Sequence, residues 1–186
     1  MDPMGPMSCE AHIMTPDAIA RVKASYDTLA RDALALSSRF YEEMFRAAPK
    51  LRPLFPADLL ALQGHFEAAL SLVVRNLHEM TALAQPLRDL GGAHVGWGAR
   101  PDDYLVAREA LIAAIRSRSG RWDETLERDW RAAITGIIVP MLEGAAVETA
   151  VAAERLASTL EAPPPSTLEA KPTSPLEAKP PGTLER

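Results

Sequence analysis

Leu90-Gly91-Gly92-Ala93-His94, with Tyr104 ten residues further on, is the stretch that decides the fold. Leu90 and His94 are four apart and share one face of a helix. Leu87, three residues before Leu90, extends that apolar face. An imidazole therefore ends a greasy helical stripe. Gly96 and Gly98 break the helix just after it, and Arg100-Pro101-Asp102 opens the next. A histidine so placed presents a ring nitrogen to something held in a pocket, or it is a core residue satisfied by a backbone carbonyl. Both readings stand on this stretch alone.

Working outward, every neighbouring segment has helical spacing. Thr15-Pro16-Asp17 joins a capping hydroxyl, a proline suited to the first turn and an acid suited to the positive end of the dipole. Ile19, Val22 and Tyr26 follow. A second helix is predicted from about Asp32 to Ala47, through Leu34, Phe40, Tyr41, Met44 and Phe45. Pro49, Pro53 and Pro56 then allow only short turns, and Leu51, Leu54 and Phe55 keep that corner apolar. Asp58 to Leu77 reads as one long helix, with Leu59, Leu62, Phe66, Leu70, Val73, Val74 and Leu77 along one face. Gln63 and His65 lie at its edges.

His78 to Gln85 reads as a connector with some helical content, and Pro86 as the start of the short helix carrying His94. Asp123 opens the last helix, which Pro140 interrupts and which runs to about Ser158. No strand pattern occurs. The expectation is an all-α domain over residues 15–158. A loose arm, 1–14, precedes it. A Pro-rich tail, 159–186, follows, with an eight-residue repeat restarting at Leu168, Leu176 and Leu184. Its proline density precludes a core, so a disordered tail is expected.

Composition narrows the function. At 186 residues the chain suits one domain, and 47% hydrophobic residues supply a core for it. A net charge of −5 argues against nucleic-acid binding. No run of 18 apolar residues suggests a membrane span, and no signal-peptide pattern opens the chain, so a cytoplasmic protein is expected. Cys9 is the single cysteine, which excludes an internal disulfide and a thiolate metal cluster. No paired carboxylates, nucleophile elbow, phosphate loop or glycine-rich dinucleotide fingerprint stands out.

Five pieces in order resemble the globin family, and within it bacterial single-domain haemoglobins and the haem domain of flavohaemoglobins. They are Phe40-Tyr41-Glu42-Glu43-Met44-Phe45, Pro49 through Phe55, Leu90 through His94, Trp97 through Tyr104, and Asp129-Trp130-Arg131-Ala132-Ala133. The resemblance implies a three-on-three helical sandwich holding haem b, iron protoporphyrin IX. It implies that His94 is the proximal iron ligand, that Phe55 wedges against the porphyrin, and that Tyr41 is the distal hydrogen-bond donor. Leu90, Trp97 and Tyr104 join the proximal side, where Tyr104 helps orient His94. Relatives place a glutamine on the distal helix four residues before an apolar one. Here that spacing leads from Phe66 back to Leu62. Phasing by Gln63 instead would set Glu67 over the haem, a costly place for a charge. Leu62 and Phe66 are therefore expected to face the haem, with Gln63 beside them. His65 is read as contacting a propionate, as a sixth ligand, or as a solvent-exposed histidine. The proximal glutamate of flavohaemoglobins falls at Ala145, with Glu143 on another side of the helix.

The function implied is reversible binding of dioxygen, and of nitric oxide, at a five-coordinate iron. A nitric oxide dioxygenase fed by an external reductase is the alternative. A haem-based gas sensor and a haem-free helical interaction module are the competitors.

Overall fold

A computed structural model describes residues 14–161 of the chain. The expected arm up to residue 13, His12 included, and the repeat tail beyond Glu161 lie outside them. Six α-helices carry the fold: α1 Pro16–Leu29, α2 Ala33–Ala47, α3 Leu60–Arg75, α4 Met80–Gly96, α5 Pro101–Arg118 and α6 Glu124–Glu161. Short 3₁₀ turns stand before α2, after α2 and before α4. No strand occurs among the described residues. α1 packs on α6 and α3, α2 on α3 and α5, and α5 on α6. The largest faces in contact are α4 on α6 and α2 on α5.

The helix ends follow local chemistry. Thr15 Oγ1 accepts from the Ala18 amide at 3.2 Å. Asp58 Oδ1 accepts from the Leu60 amide at 2.9 Å, and Asp123 Oδ1 from the Leu126 amide at 2.8 Å. The Asp103 carboxylate accepts from the Arg100 amide at 2.9 Å, and the Asp103 amide donates to the Arg100 carbonyl at 2.9 Å, closing the head of α5.

Four boundaries differ from the sequence reading. The helix after the proline corner begins at Leu60, because Asp58 caps it from two residues outside. It ends at Arg75, and Leu77 belongs to the 3₁₀ turn that follows. The His94 helix begins at Met80, not Pro86. Residues 80–85 are mostly strong helix formers, and Pro86 sits inside at the cost of one backbone bond. α6 continues to Glu161, three residues past the expected end.

Val22, Tyr26, Leu29, Leu36, Leu70, Val73, Val74, Leu111, Ile115, Trp130 and Ile134 build the core. Leu34, expected inward, is exposed, and Leu36 is the buried leucine of α2. Trp130 Nε1 donates to Ser25 Oγ at 3.3 Å, and Arg21 pairs with buried Asp129 at 2.6 Å, tying α1 to α6. α6 is long and apolar enough to cross a membrane by length and composition alone. Its buried residues, Trp130, Ala133, Ile134, Met141 and Ala145, nevertheless pack inside this domain.

One acid is out of place in this core. Glu67 is buried, and neither carboxylate oxygen has a hydrogen-bond partner of good geometry. The nearby Ser37 hydroxyl donates instead toward the Ala33 and Leu34 carbonyls, at 3.4 and 3.2 Å. Burial pushes the Glu67 carboxyl up to about 7, and the Ser37 backbone and hydroxyl offset this only in part. The folded chain thus holds a proton that the unfolded chain releases near 4.5. Stability should fall as pH rises from about 4.5 to about 7, then level off. Glu67→Gln removes that penalty. Urea melts should show it more stable than wild type by about 2 kcal/mol at pH 8, after allowing for local hydration, with the gap closing toward pH 4. An equal gap at both pH values would mean that the charge is not the cause.

Candidate functional site

The candidate site is assembled from the end of α4, the facing residues of α2 and α3, and the turn after α2. His94 stands on the last turn of α4. Its ring Nδ1 lies 2.7 Å from the Leu90 carbonyl oxygen. A carbonyl can only accept, so Nδ1 must carry the proton and Nε2 keeps its lone pair. Among the described residues nothing bonds Nε2. Burial holds the imidazole below its ordinary value, which keeps it neutral, although the bond to Leu90 works in the opposite direction. This is the tautomer and charge state of a metal ligand.

The backbone fixes the ring's position. The His94 carbonyl accepts from the Trp97 amide at 3.2 Å and the Ala99 amide at 3.0 Å, a tight end to the helix. Gly98 makes that end possible. Its φ of 91° suits glycine, and a side chain there would meet the Leu54 methyl at 3.2 Å.

An aromatic cage forms where α2, α3 and the turn after α2 meet. Tyr41 is 5% exposed. Its ring lies 5.0 Å from Phe40, 5.8 Å from Phe55, 6.0 Å from Phe45 and 6.1 Å from Phe66. Phe40 and Phe66 stack at 4.5 Å with a 7° interplanar angle, locking α2 to α3. Burial pushes the Tyr41 hydroxyl up to about 12, so it is a neutral donor. Among the described residues no hydrogen bond engages it.

The other expected residues divide. Phe55, Leu62 and Phe66 are half-buried at the edge of the core. Gln63 turns sideways, its Nε2 donating to Ser38 Oγ at 3.0 Å. Leu90 is half-buried, and its contribution to the site is the carbonyl. Trp97 is 60% exposed, with its ring 4.8 Å from the His94 ring. Tyr104 is buried 6.1 Å from His94, ring to ring, with a hydroxyl that has no partner. The His94 ring is instead bonded to the Leu90 carbonyl. His65 is exposed on α3, and His78 is exposed beside Glu79. Ala145 is buried, while Glu143 turns away to pair with Arg88 at 2.8 Å.

Arg52 was not legible as part of the site. Its guanidinium donates to the Phe55, Pro56 and Ala57 carbonyls at 3.1, 2.9 and 3.0 Å and stands 5.3 Å above the Phe45 ring. It pins the corner that presents Phe55. A sequence shows an arginine among prolines, but not carbonyls left free by irregular backbone.

The fit to a cofactor can be tested on these observations. Among the described residues no three His, Cys, Asp or Glu side chains converge. One imidazole cannot hold a bare ion. A porphyrin supplies the rest of the ligand set and needs one axial nitrogen, an apolar slot and few charges. His94 supplies the nitrogen and the aromatic cage the apolar lining, while the Tyr104 hydroxyl beside them is left without a partner.

Comparisons with known proteins agree. The family model described as Globin matches residues 38–141. The flavohemoprotein of Rhizobium meliloti is 32% identical over 105 residues, covering 53% of this chain and 25% of that protein. The leghemoglobin of Medicago sativa is 25% identical over 135 residues, 66% of this chain and 92% of its own. The chain thus spans about a quarter to a third of the flavohemoproteins it matches. Among solved structures, an engineered carbene transferase from a Rhodothermus marinus protein, provisionally designated a nitric oxide dioxygenase, superposes with TM-score 0.67. It shares 25% identity over 75% of this chain and 99% of its own. A bacterial globin of Campylobacter jejuni gives 0.62 at 19%, with coverage of 75% and 99%. From helix order, histidine geometry and these matches together, the chain belongs to the globin family.

Proposed function

We propose that the protein binds haem b through His94 and takes up dioxygen, and nitric oxide, reversibly on the opposite side. The observation that carries this reading is the His94–Leu90 bond, which leaves a neutral imidazole with its Nε2 lone pair uncommitted. Haem would supply the coordination site for the gas. The chain's residues do the rest. His94 holds the group from one side, Phe55 and Phe66 wall the slot, and Tyr41 offers a hydrogen bond to a diatomic ligand. Leu62 and Phe66 in place of polar distal residues exclude water. Residence of the ligand then depends on a single donor.

The similarity to flavohemoproteins favours a second reading, nitric oxide dioxygenation, in which an external reductase returns the electrons. Stopped-flow nitric oxide consumption with and without such a reductase separates carrier from enzyme. The first test is simpler: the purified chain, supplied with haemin and desalted, should keep a Soret band. A colourless protein would end the haem reading.

The exposure of His65 makes a further expectation specific. The ferrous protein should show a broad five-coordinate spectrum, and His65→Ala should leave it unchanged. Sharp low-spin bands that vanish in His65→Ala would instead mean that this side chain swings in as a sixth ligand.

A further inference from the structure

α4 crosses α6 with backbone against backbone. A Cβ at Gly91 would lie on the Met141 carbonyl oxygen and 2.6 Å from its carbon. A Cβ at Gly144 would lie on the Arg88 carbonyl oxygen and 2.6 Å from its carbon. The two contacts are reciprocal: each helix places a glycine against a carbonyl of the other. Backbone carbonyls cannot swing aside as a flexible side chain can, so any side chain at either position must force the helices apart. The neighbouring glycines impose no such demand. A Cβ at Gly92 would meet Glu148 at an ordinary 3.7 Å, and one at Gly136 would meet the Met80 methyl at 3.6 Å. Arg88 and Glu143 close an ion pair beside the crossing, at 2.8 Å.

Gly91 lies three residues before His94, on nearly the same face of α4. The crossing therefore sets where the histidine's helix sits, less than one turn from its ring. We infer that Gly91 and Gly144 are positioning residues that fix the placement of His94 against the haem, an inference that rests on the haem reading above. Close Cα–H to carbonyl contacts, available only where side chains are absent, add to the grip. A methyl inserted there must push α4 off α6, and a packed interface passes that displacement on rather than absorbing it.

The test is the iron–imidazole stretching band of the ferrous, haem-loaded protein, read by resonance Raman. Gly91→Ala and Gly144→Ala should each shift it and speed haemin loss about tenfold. Gly92→Ala should do neither. In a His94→Gly background with added imidazole, the ligand is no longer tied to α4, so Gly91→Ala should leave the band in place. An unshifted band in both variants, an equal shift in Gly92→Ala, or a shift that persists with free imidazole would each overturn the inference. If Gly91→Ala does not fold, Gly144→Ala carries the same test from the other helix. Loss of helical circular dichroism in both would make the glycines residues of folding rather than of placement, and would also overturn it. If wild type itself takes up no haem, the haem reading fails and the inference with it. If wild type shows its band and the variants match it, only the inference fails.

Discussion

His94→Ala should abolish stoichiometric haem uptake while leaving the helical fold standing. The two outcomes separate because His94 does two different things. Its backbone is an ordinary residue of α4, and the Leu90 carbonyl that accepts from its ring also lies at the helical spacing for its amide. Truncating the side chain removes the ring bond and leaves the amide bond. The ring is only half-buried, so a large cavity is not expected. What is lost is the only imidazole the described site offers on that side. Changing the partner that orients a ligand typically costs 10–100-fold in metal affinity. Losing the ligand itself should cost roughly 100-fold or more, enough for haem to wash out on desalting. Added imidazole should restore the absorption spectrum, because the apolar slot and the aromatic cage remain. Haem retention by His94→Ala, with an unaltered spectrum and no added imidazole, would remove the proximal assignment. Loss of helical circular dichroism would show instead that the histidine is a core residue.

How far the site could be read from sequence depended on the range of the interaction. Local signals were legible. The Thr15 cap, the Asp103–Arg100 bond and the helix end after His94 are each settled within five residues. The apolar period of α3 placed Leu62 and Phe66 together, and the cost of a charge argued Glu67 away from the haem. Period alone could not show that Glu67 would be buried, near Ser37. Pro86 misled because a proline that suits a first turn is also tolerated within a helix whose neighbours are good formers. Leu34 and Leu36 are both leucines on α2, and the packing of α5, remote in sequence, decides which one turns inward. Gly91 and Gly144 are 53 residues apart, and nothing local marks either as a crossing point. The histidine and its cage follow from short-range pattern. Their exact spacing is set by pairs of distant residues that one sequence does not link.

Tyr41→Phe should speed dioxygen release by about one to two decades and leave the fold as stable as before, or slightly more so. The hydroxyl is the one polar group in a cage of Phe40, Phe45, Phe55 and Phe66. Among the described residues it has no hydrogen bond to lose. Its removal therefore costs no hydrogen bond within the protein, whereas removing a bonded hydroxyl is costly. A hydrogen bond to a ligand carrying partial negative charge, in a dry slot, is worth about 1.5–3 kcal/mol. That is roughly ten- to a hundredfold in release rate, since the aromatic ring stays and the slot keeps its shape. The pair of measurements is what decides. Faster release with unchanged urea stability identifies a donor reserved for the ligand. Unchanged release with lower stability identifies a hydroxyl that serves the core. The protonation state adds a third check. Burial holds this hydroxyl at about 12, so the wild-type release rate should stay flat from pH 6 to 10 as far as this group is concerned. A rise in wild-type release near the ordinary tyrosine value of 10, absent from Tyr41→Phe, would show a wet and ionisable phenol, and the dry slot on which ligand retention depends would be gone.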